Sequence, residues 1–261
     1  MRNPALKINF LGSGTSSGVP IIGCHCAVCT SSDPRDQRLR SSILVQSATT
    51  TVVIDTGPDF RQQMLRIGNE HLDAVVYTHA HMDHVIGMDE VRPYNYMQKK
   101  DMPIYATETT QESLRRIFYY AFAEKRFPGI PQVVLNTIDT EPFMIGDIAF
   151  QPIHVWHYKM PVLGFRMGRF TYITDVSRID DAQKELIKGS DILVLDALGK
   201  VPHISHYSLS DAIAVARELQ VPTVYFTHVG HSMGLYATVE KELPAGMHLA
   251  YDGLVLNVEE N

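Results

Sequence analysis

The chain has 261 residues, with 23 Lys plus Arg against 29 Asp plus Glu and a formal net charge of −6 at neutral pH. With 45% hydrophobic and only 20% charged residues it has ample apolar surface to bury, which excludes disorder, a collagen-like repeat or a coiled coil as its main state. No apolar run approaches the ~18 residues of a membrane span and Met1-Arg-Asn-Pro lacks a signal-peptide core, so no membrane partner and a cytoplasmic location are expected.

In chain order, Leu6–Leu11 alternates like a half-buried strand and leads into the turn-rich 12–18 segment. Ser42–Gln46 and Thr51–Asp55 carry the β-branched content of a hairpin, Phe60–Ile67 has helical spacing with Gly68 as its stop, and Ala74–Thr78 reads as a strand. Residues 92–132 are expected to form a helical insertion or lid, with a helix over Gln111–Lys125 whose Tyr119, Tyr120 and Phe122 suit a core or a homodimer contact. Arg92, Tyr94 and Arg126 of this segment could reach a phosphate. Strands follow near 148–153, 164–167, 170–174 and 192–195, with helices at 180–188 and 210–220. Ser210 is the expected N-cap of the second helix. Val224–Thr227 and Gly253–Asn257 close the series, and with no internal repeat or flexible linker the expectation is one α/β domain spanning 1–261.

Chemistry concentrates in Thr78-His79-Ala80-His81-Met82-Asp83-His84, where four potential ligands occupy six residues just after a strand. In an extended segment residues two apart share a side, so His79 and His81 can meet one ion while Asp83 and His84 turn toward another. Imidazoles with a carboxylate are a donor set for Zn or a related ion. A second group, Cys24-His25-Cys26-Ala27-Val28-Cys29, has metal-type spacing in a chain whose odd cysteine count argues against a disulfide framework. Asp55, Asp73 and Asp196 each lie beside an apolar strand, where they could orient ligand histidines or simply cap turns. Gly12-x-Gly14 and Gly18 lack a Gly-Lys-Ser/Thr and suit a site rim better than a nucleotide loop.

The His-x-His-x-Asp-His string resembles the signature of the metallo-β-lactamase superfamily, and the likeness runs from about Ile8 to Asn257. It implies a four-layer αβ/βα sandwich with a two-metal site at one edge. Carried over residue by residue, it places His79, His81 and His157 on one ion, Asp83, His84 and His228 on the other, and Asp175 between them, with Asp55 behind the ligands. The distance from His157 to Gly164 is one residue longer than in many relatives, with His154 nearby. His206-Tyr-Ser-Leu resembles the catalytic-histidine motif of tRNase Z and PhnP-type enzymes, and the cysteine loop with His231 is similar to the structural zinc site of PhnP-type phosphodiesterases. His25 is an alternative fourth ligand there, His203 suits a supporting role or solvent, and His71 and His248 suit the surface.

The implied cofactors are two divalent ions, Zn or Mn, and one structural Zn. The implied activity is hydrolysis of a small or cyclic phosphodiester by a metal-bridged hydroxide, with Asp175 and His206 as its catalytic residues. A tRNase Z-like nuclease is the alternative, against which the charge of −6 and the small Lys99-Lys100 pair count. A PqqB-like, non-hydrolytic cofactor-synthesis protein is a third reading, and β-lactam or thioester hydrolysis shares the fold.

Overall fold

The computed structural model describes residues 4–123 and 128–260. Its first half comprises β1 (Leu6–Gly12), β2 (Ser42–Gln46), β3 (Thr51–Ile54), α1 (Phe60–Ile67), β4 (Ala74–Val76), α2 (Met82–Val85), α3 (Arg92–Gln98), β5 (Met102–Ala106), α4 (Glu108–Ile117) and β6 (Val133–Thr137). The second half adds β7 (Phe143–Ile145), β8 (Ile148–His157), β9 (Met160–Met167), β10 (Phe170–Ile173), α5 (Asp181–Ile187), β11 (Ile192–Asp196), α6 (Leu209–Leu219), β12 (Thr223–Thr227), α7 (Tyr236–Glu242), β13 (Met247–Leu249) and β14 (Val255–Val258). They build two seven-stranded sheets, ordered β14-β1-β2-β3-β4-β5-β6 and β13-β12-β11-β10-β9-β8-β7.

Strand alternation explains why the sheets stack. In β2, Ile43 and Val45 join Ile8, Phe10, Phe150, Phe165, Tyr172 and Val194 in a core between the sheets, while Leu44 points the other way. Leu44, Val53, Val75 and Ile104 pack outward against Phe60, Met64, Tyr94 and Leu114 of the first half's helices. On the opposite outer face Leu193, Leu195, Val224 and Phe226 meet Ile187, Ala212, Ala216 and Val239. Each central strand is thus covered on both faces, as near-continuous apolar runs such as Ile192-Leu-Val-Leu195 require. The order of layers is helix, sheet, sheet, helix, the expected αβ/βα sandwich. Among the described residues no helix is long and apolar enough to cross a membrane.

The segment 92–132 is not an insertion. It supplies β5, which pairs in parallel with both β4 and β6, so it belongs to the sheet. The helix expected at 111–125 is shorter and earlier, Glu108–Ile117, because the Thr107 side chain accepts from Thr110 N–H and starts it there; Lys125 and Arg126 lie outside the described residues. The helix expected from Ser210 instead starts after Ser208, whose hydroxyl accepts from Asp211 N–H while the Asp211 carboxylate accepts from Ser208 N–H. This reciprocal capping box outcompetes Ser210, which sits one residue inside the helix.

Candidate metal centre

The parallel strands determine where the chemistry collects. β3 and β4 are parallel, as are β10, β11 and β12, and β8 runs with β10 because β9 is antiparallel to both. Asp55, His79, His157, Asp175, Asp196 and His228 each end or follow one of these strands, so their side chains gather at a single carboxyl-terminal edge. The backbone there is unusual: Asp55, Asp175 and His228 all have positive φ, at 66°, 51° and 57°. Such conformations cost energy for a residue bearing a Cβ and concentrate where the fold must aim a side chain. Close backbone approach does the rest, since a Cβ on Gly57 would collide with the Asp83 carbonyl oxygen and one on Gly87 with the Gly57 carbonyl oxygen.

Among the described residues four donor groups overlap here; one, Asp196 with His206 and His228, lies behind the others, and three share Asp175. Of these three, Asp83, His84, Asp175 and His228 form one; His79, His81 and Asp175 another; His157, Asp175 and His206 the third. His157 lies 5.2 Å from His81 and 6.0 Å from His79 between ring centroids, and its Nδ1 faces the Ser205 carbonyl at 2.7 Å. Each ring is oriented from behind. Asp55 holds His84 Nδ1 at 2.7 Å and also accepts from Thr78 N–H and Oγ1–H. Asp196 takes His206 Nδ1 at 2.9 Å and Val176 N–H at 3.0 Å. The two acids therefore sit behind the cluster's imidazoles, whereas Asp73 accepts from Thr51 N–H and pairs with His71 at a turn.

The inward atoms are left without partners. His79 Nε2, His84 Nε2 and both nitrogens of His228 are buried and lack a hydrogen bond, although carboxylate oxygens of Asp83 and Asp175 stand 3.1–3.7 Å from the Nε2 atoms of His84 and His228. Unpaired buried polar atoms carry a desolvation penalty; divalent cations at their focus would satisfy the Nε2 atoms, while His228 Nδ1 faces the Asp196 carboxylate at 3.7 Å. Burial, joined by the His84 charge, pushes the His79 pKa well below its ordinary value, and burial also lowers His81 and His157, favouring the neutral imidazoles a metal needs; burial would lower His84 and His228 too, but the Asp175 carboxylate overcomes it and raises both, so these two would give up a proton to a metal. Burial would raise the Asp175 carboxyl, but His228 and His84 overcome it and hold it well below the carboxylate range. The residues fit a pair of divalent ions.

A separate cluster joins distant parts of the chain. The Sγ atoms of Cys24, Cys26 and Cys29 stand 3.3, 3.5 and 3.5 Å from His231 Nδ1. A tetrahedral zinc with Zn–S near 2.3 Å and Zn–N near 2.0 Å spaces S and N by roughly 3.5 Å, so the four donors fit that ion. The Cys29 N–H pulls the Cys26 thiol down to about 6, while burial pushes Cys29 up to about 11. His231, and not His25, completes this group.

Other candidates lie elsewhere. The His154 backbone N–H bonds to Gln183 and its ring stacks edge-on to Trp156, 6.3 Å away, outside every donor group. Tyr94 cannot serve a phosphate, because it is buried with its hydroxyl donated to the Asn69 carbonyl; Arg92 is paired with Asp89. Tyr119 is exposed, whereas Tyr120 donates to Asp89. His203 is exposed, 5.3 Å from His206. Tyr158, at the turn right after His157, escaped the sequence reading; its adjacency to a ligand was the one signal available.

Comparison with known proteins adds the following. Residues 50–229 match a family described as the beta-lactamase superfamily domain. A diphosphatase of the PhnP family, known from its crystal structure, is 42% identical, with 98% of both chains covered and a TM-score of 0.92. A Porphyromonas gingivalis protein named octanoyltransferase is 35% identical over 258 residues, covering 98% of this chain but 52% of that protein, so the chain spans about half its length. Zn(2+)-bound PqqB from Methylobacterium extorquens shares the fold at 21% identity and a TM-score of 0.78, covering 97% of this chain and 100% of that one.

Proposed function

The chain belongs to the beta-lactamase superfamily, and from that premise we propose that it is a metal-dependent hydrolase of small phosphodiesters, diphosphate diesters and cyclic phosphodiesters among them. The observation that carries this reading is the convergence of unpartnered, buried imidazole nitrogens on Asp175, beside a histidine held by its own carboxylate. His79, His81 and His157 would hold one ion, Asp83, His84 and His228 the other, with Asp175 between. The chemistry such a pair supplies when bound is an activated water and Lewis-acid stabilisation of phosphoryl oxygens.

The chain's own groups supply the rest. Asp55 fixes the tautomer of His84, which leaves Nε2 as the atom that would bind an ion. Asp196 fixes His206 in the same sense: with Nδ1–H donated to the carboxylate, Nε2 is the atom that exchanges a proton with the departing oxygen. His206 is buried at the cluster, 4.8 Å from His228 and 4.5 Å from His157 between ring centroids. Support for a diphosphate or related diester comes from the 42% identical PhnP-family diphosphatase. The name octanoyltransferase describes a protein nearly twice as long, and the donor set here favours hydrolysis at phosphorus.

The test is turnover of bis(p-nitrophenyl) phosphate and of diadenosine diphosphate by protein loaded with Zn or Mn. Hydrolysis abolished by Asp83→Ala is the expected result. No hydrolysis of either, or full activity in that variant, would overturn the reading.

A further inference from the structure

Beside His206 opens a cleft of about 570 Å³, within the 300–1,000 Å³ range of small-molecule sites. Three of its four walls leave a residue of the metal cluster: Tyr158 directly follows His157, Ser177 and Arg178 come two and three residues after Asp175, and His203 and Ile204 precede His206; the fourth is α6, where the Asp211 carboxylate is taken up by the Ser208 N–H and hydroxyl. The walls are pinned together. Tyr158 N–H donates to Ser177 Oγ at 2.9 Å, Ser177 N–H to the Trp156 carbonyl at 2.7 Å, and Trp156 N–H to the Arg178 carbonyl at 3.0 Å.

Two features identify the occupant. Tyr158 is 50% exposed and Ile204 69% exposed, so the cleft presents an aliphatic chain and a ring, one face of which carries the Lys159 ammonium 5.2 Å from its centroid. Tyr158 holds a φ of 56°, a genuine outlier for a bulky residue, with its main chain tied down at Ser177. The polar feature is Arg178. Its guanidinium lies 4.9 Å over the Trp156 ring and its Nε pairs with Asp180 at 3.0 Å, so its position is held from two sides; a guanidinium has five N–H donors, and the Asp180 contact at Nε leaves others to meet an anion.

We propose that this cleft is the leaving-group subsite and takes a nucleoside monophosphate unit, its planar base stacked on Tyr158 and its phosphate on Arg178. The inference rests on the hydrolase reading and names its substrate class: a diphosphate diester with a nucleoside on the departing side. Base stacking on an aromatic ring is sequence-tolerant, so the site selects for a base without selecting which.

Calorimetric titration of the metal-loaded protein with AMP and with ribose 5-phosphate isolates the base from the phosphate. Wild type is expected to bind AMP at least about 10-fold more tightly, as one stacked base contributes. Tyr158→Ala should bring the two affinities within about 2-fold, Tyr158→Phe should keep the preference, and Arg178→Gln should weaken both ligands alike. Equal affinities in wild type, or a preference that survives Tyr158→Ala, would overturn the base subsite; unchanged affinities in Arg178→Gln would overturn the phosphate contact. Binding is read without turnover. A retained AMP preference in a protein that hydrolyses neither bis(p-nitrophenyl) phosphate nor diadenosine diphosphate would sink the hydrolase reading and leave a nucleotide site standing, whereas hydrolysis with no preference would do the reverse.

Discussion

Asp196 and Asp73 look alike in the sequence, each beside an apolar strand, yet Asp196 is fully buried behind His206 and Asp73 pins a turn. Only the packing of β11 against β10 and β12 separates them, because it sets the end of β11 level with Asp175 and His228. Asp196→Ala should therefore lower kcat about 10–100-fold, the usual cost of losing a group that orients a site residue, whereas Asp73→Ala should leave kcat within about 2-fold. Steady-state kinetics on one substrate compares them directly. His206→Ala should slow alkyl esters more than p-nitrophenyl esters, by up to about 10²–10⁴-fold, since a good leaving group needs no proton; equal slowing would remove the acid role. The metal-type residues were legible because their spacing is short-range, His79 to His84 and Cys24 to Cys29, or because a motif surrounded them. Tyr158 and Arg178 were not, since a shared cleft leaves no pattern along the chain.

Elements were read well where one local signal dominates. Phe60–Ile67 ends at Gly68, whose φ of 62° and amide bonded back to Leu65 and Met64 stop the helix as expected. They were misread where signals compete or where pairing is long-range. Ser208 and Ser210 both suit an N-cap, and only Asp211 decides between them; β5 is short, and its place in the sheet depends on β4 and β6. Ser208→Ala should cost about 1 kcal/mol, or about 2–4 °C in Tm for a chain of this size, and should also reduce activity because His206 lies two residues before the cap. The cysteine cluster works on the same scale, tying the 24–29 loop to His231, three residues past His228. Cys26→Ser should release one zinc per chain and lower Tm by several degrees before it alters kcat. Unchanged zinc content and Tm in that variant would contradict a closed zinc site.

At the scale of the whole molecule, two sheets facing across a shared core bring strand ends from both halves of the chain to one edge, and neither half holds the donors alone: Asp83 and His84 come from the first, Asp175 and His228 from the second. The layered class was legible because apolar strands and amphipathic helices leave few ways to bury both faces; strand order was not, because it depends on pairings far apart in sequence. The formal charge of −6 disfavours a polyanion, so precursor tRNA should be cleaved far more slowly than a diphosphate diester in direct competition at one metal concentration. The central claim is that the six donors around Asp175 hold ions required for phosphodiester hydrolysis. Its most direct test is to strip the protein with chelator, restore Zn or Mn stepwise, and follow bound metal together with diester turnover. The account predicts that turnover returns as two ions per chain fill the centre, one of them lost in Asp83→Ala, beyond the one retained by the cysteine cluster; turnover in stripped protein, or none after both sites are filled, would contradict it.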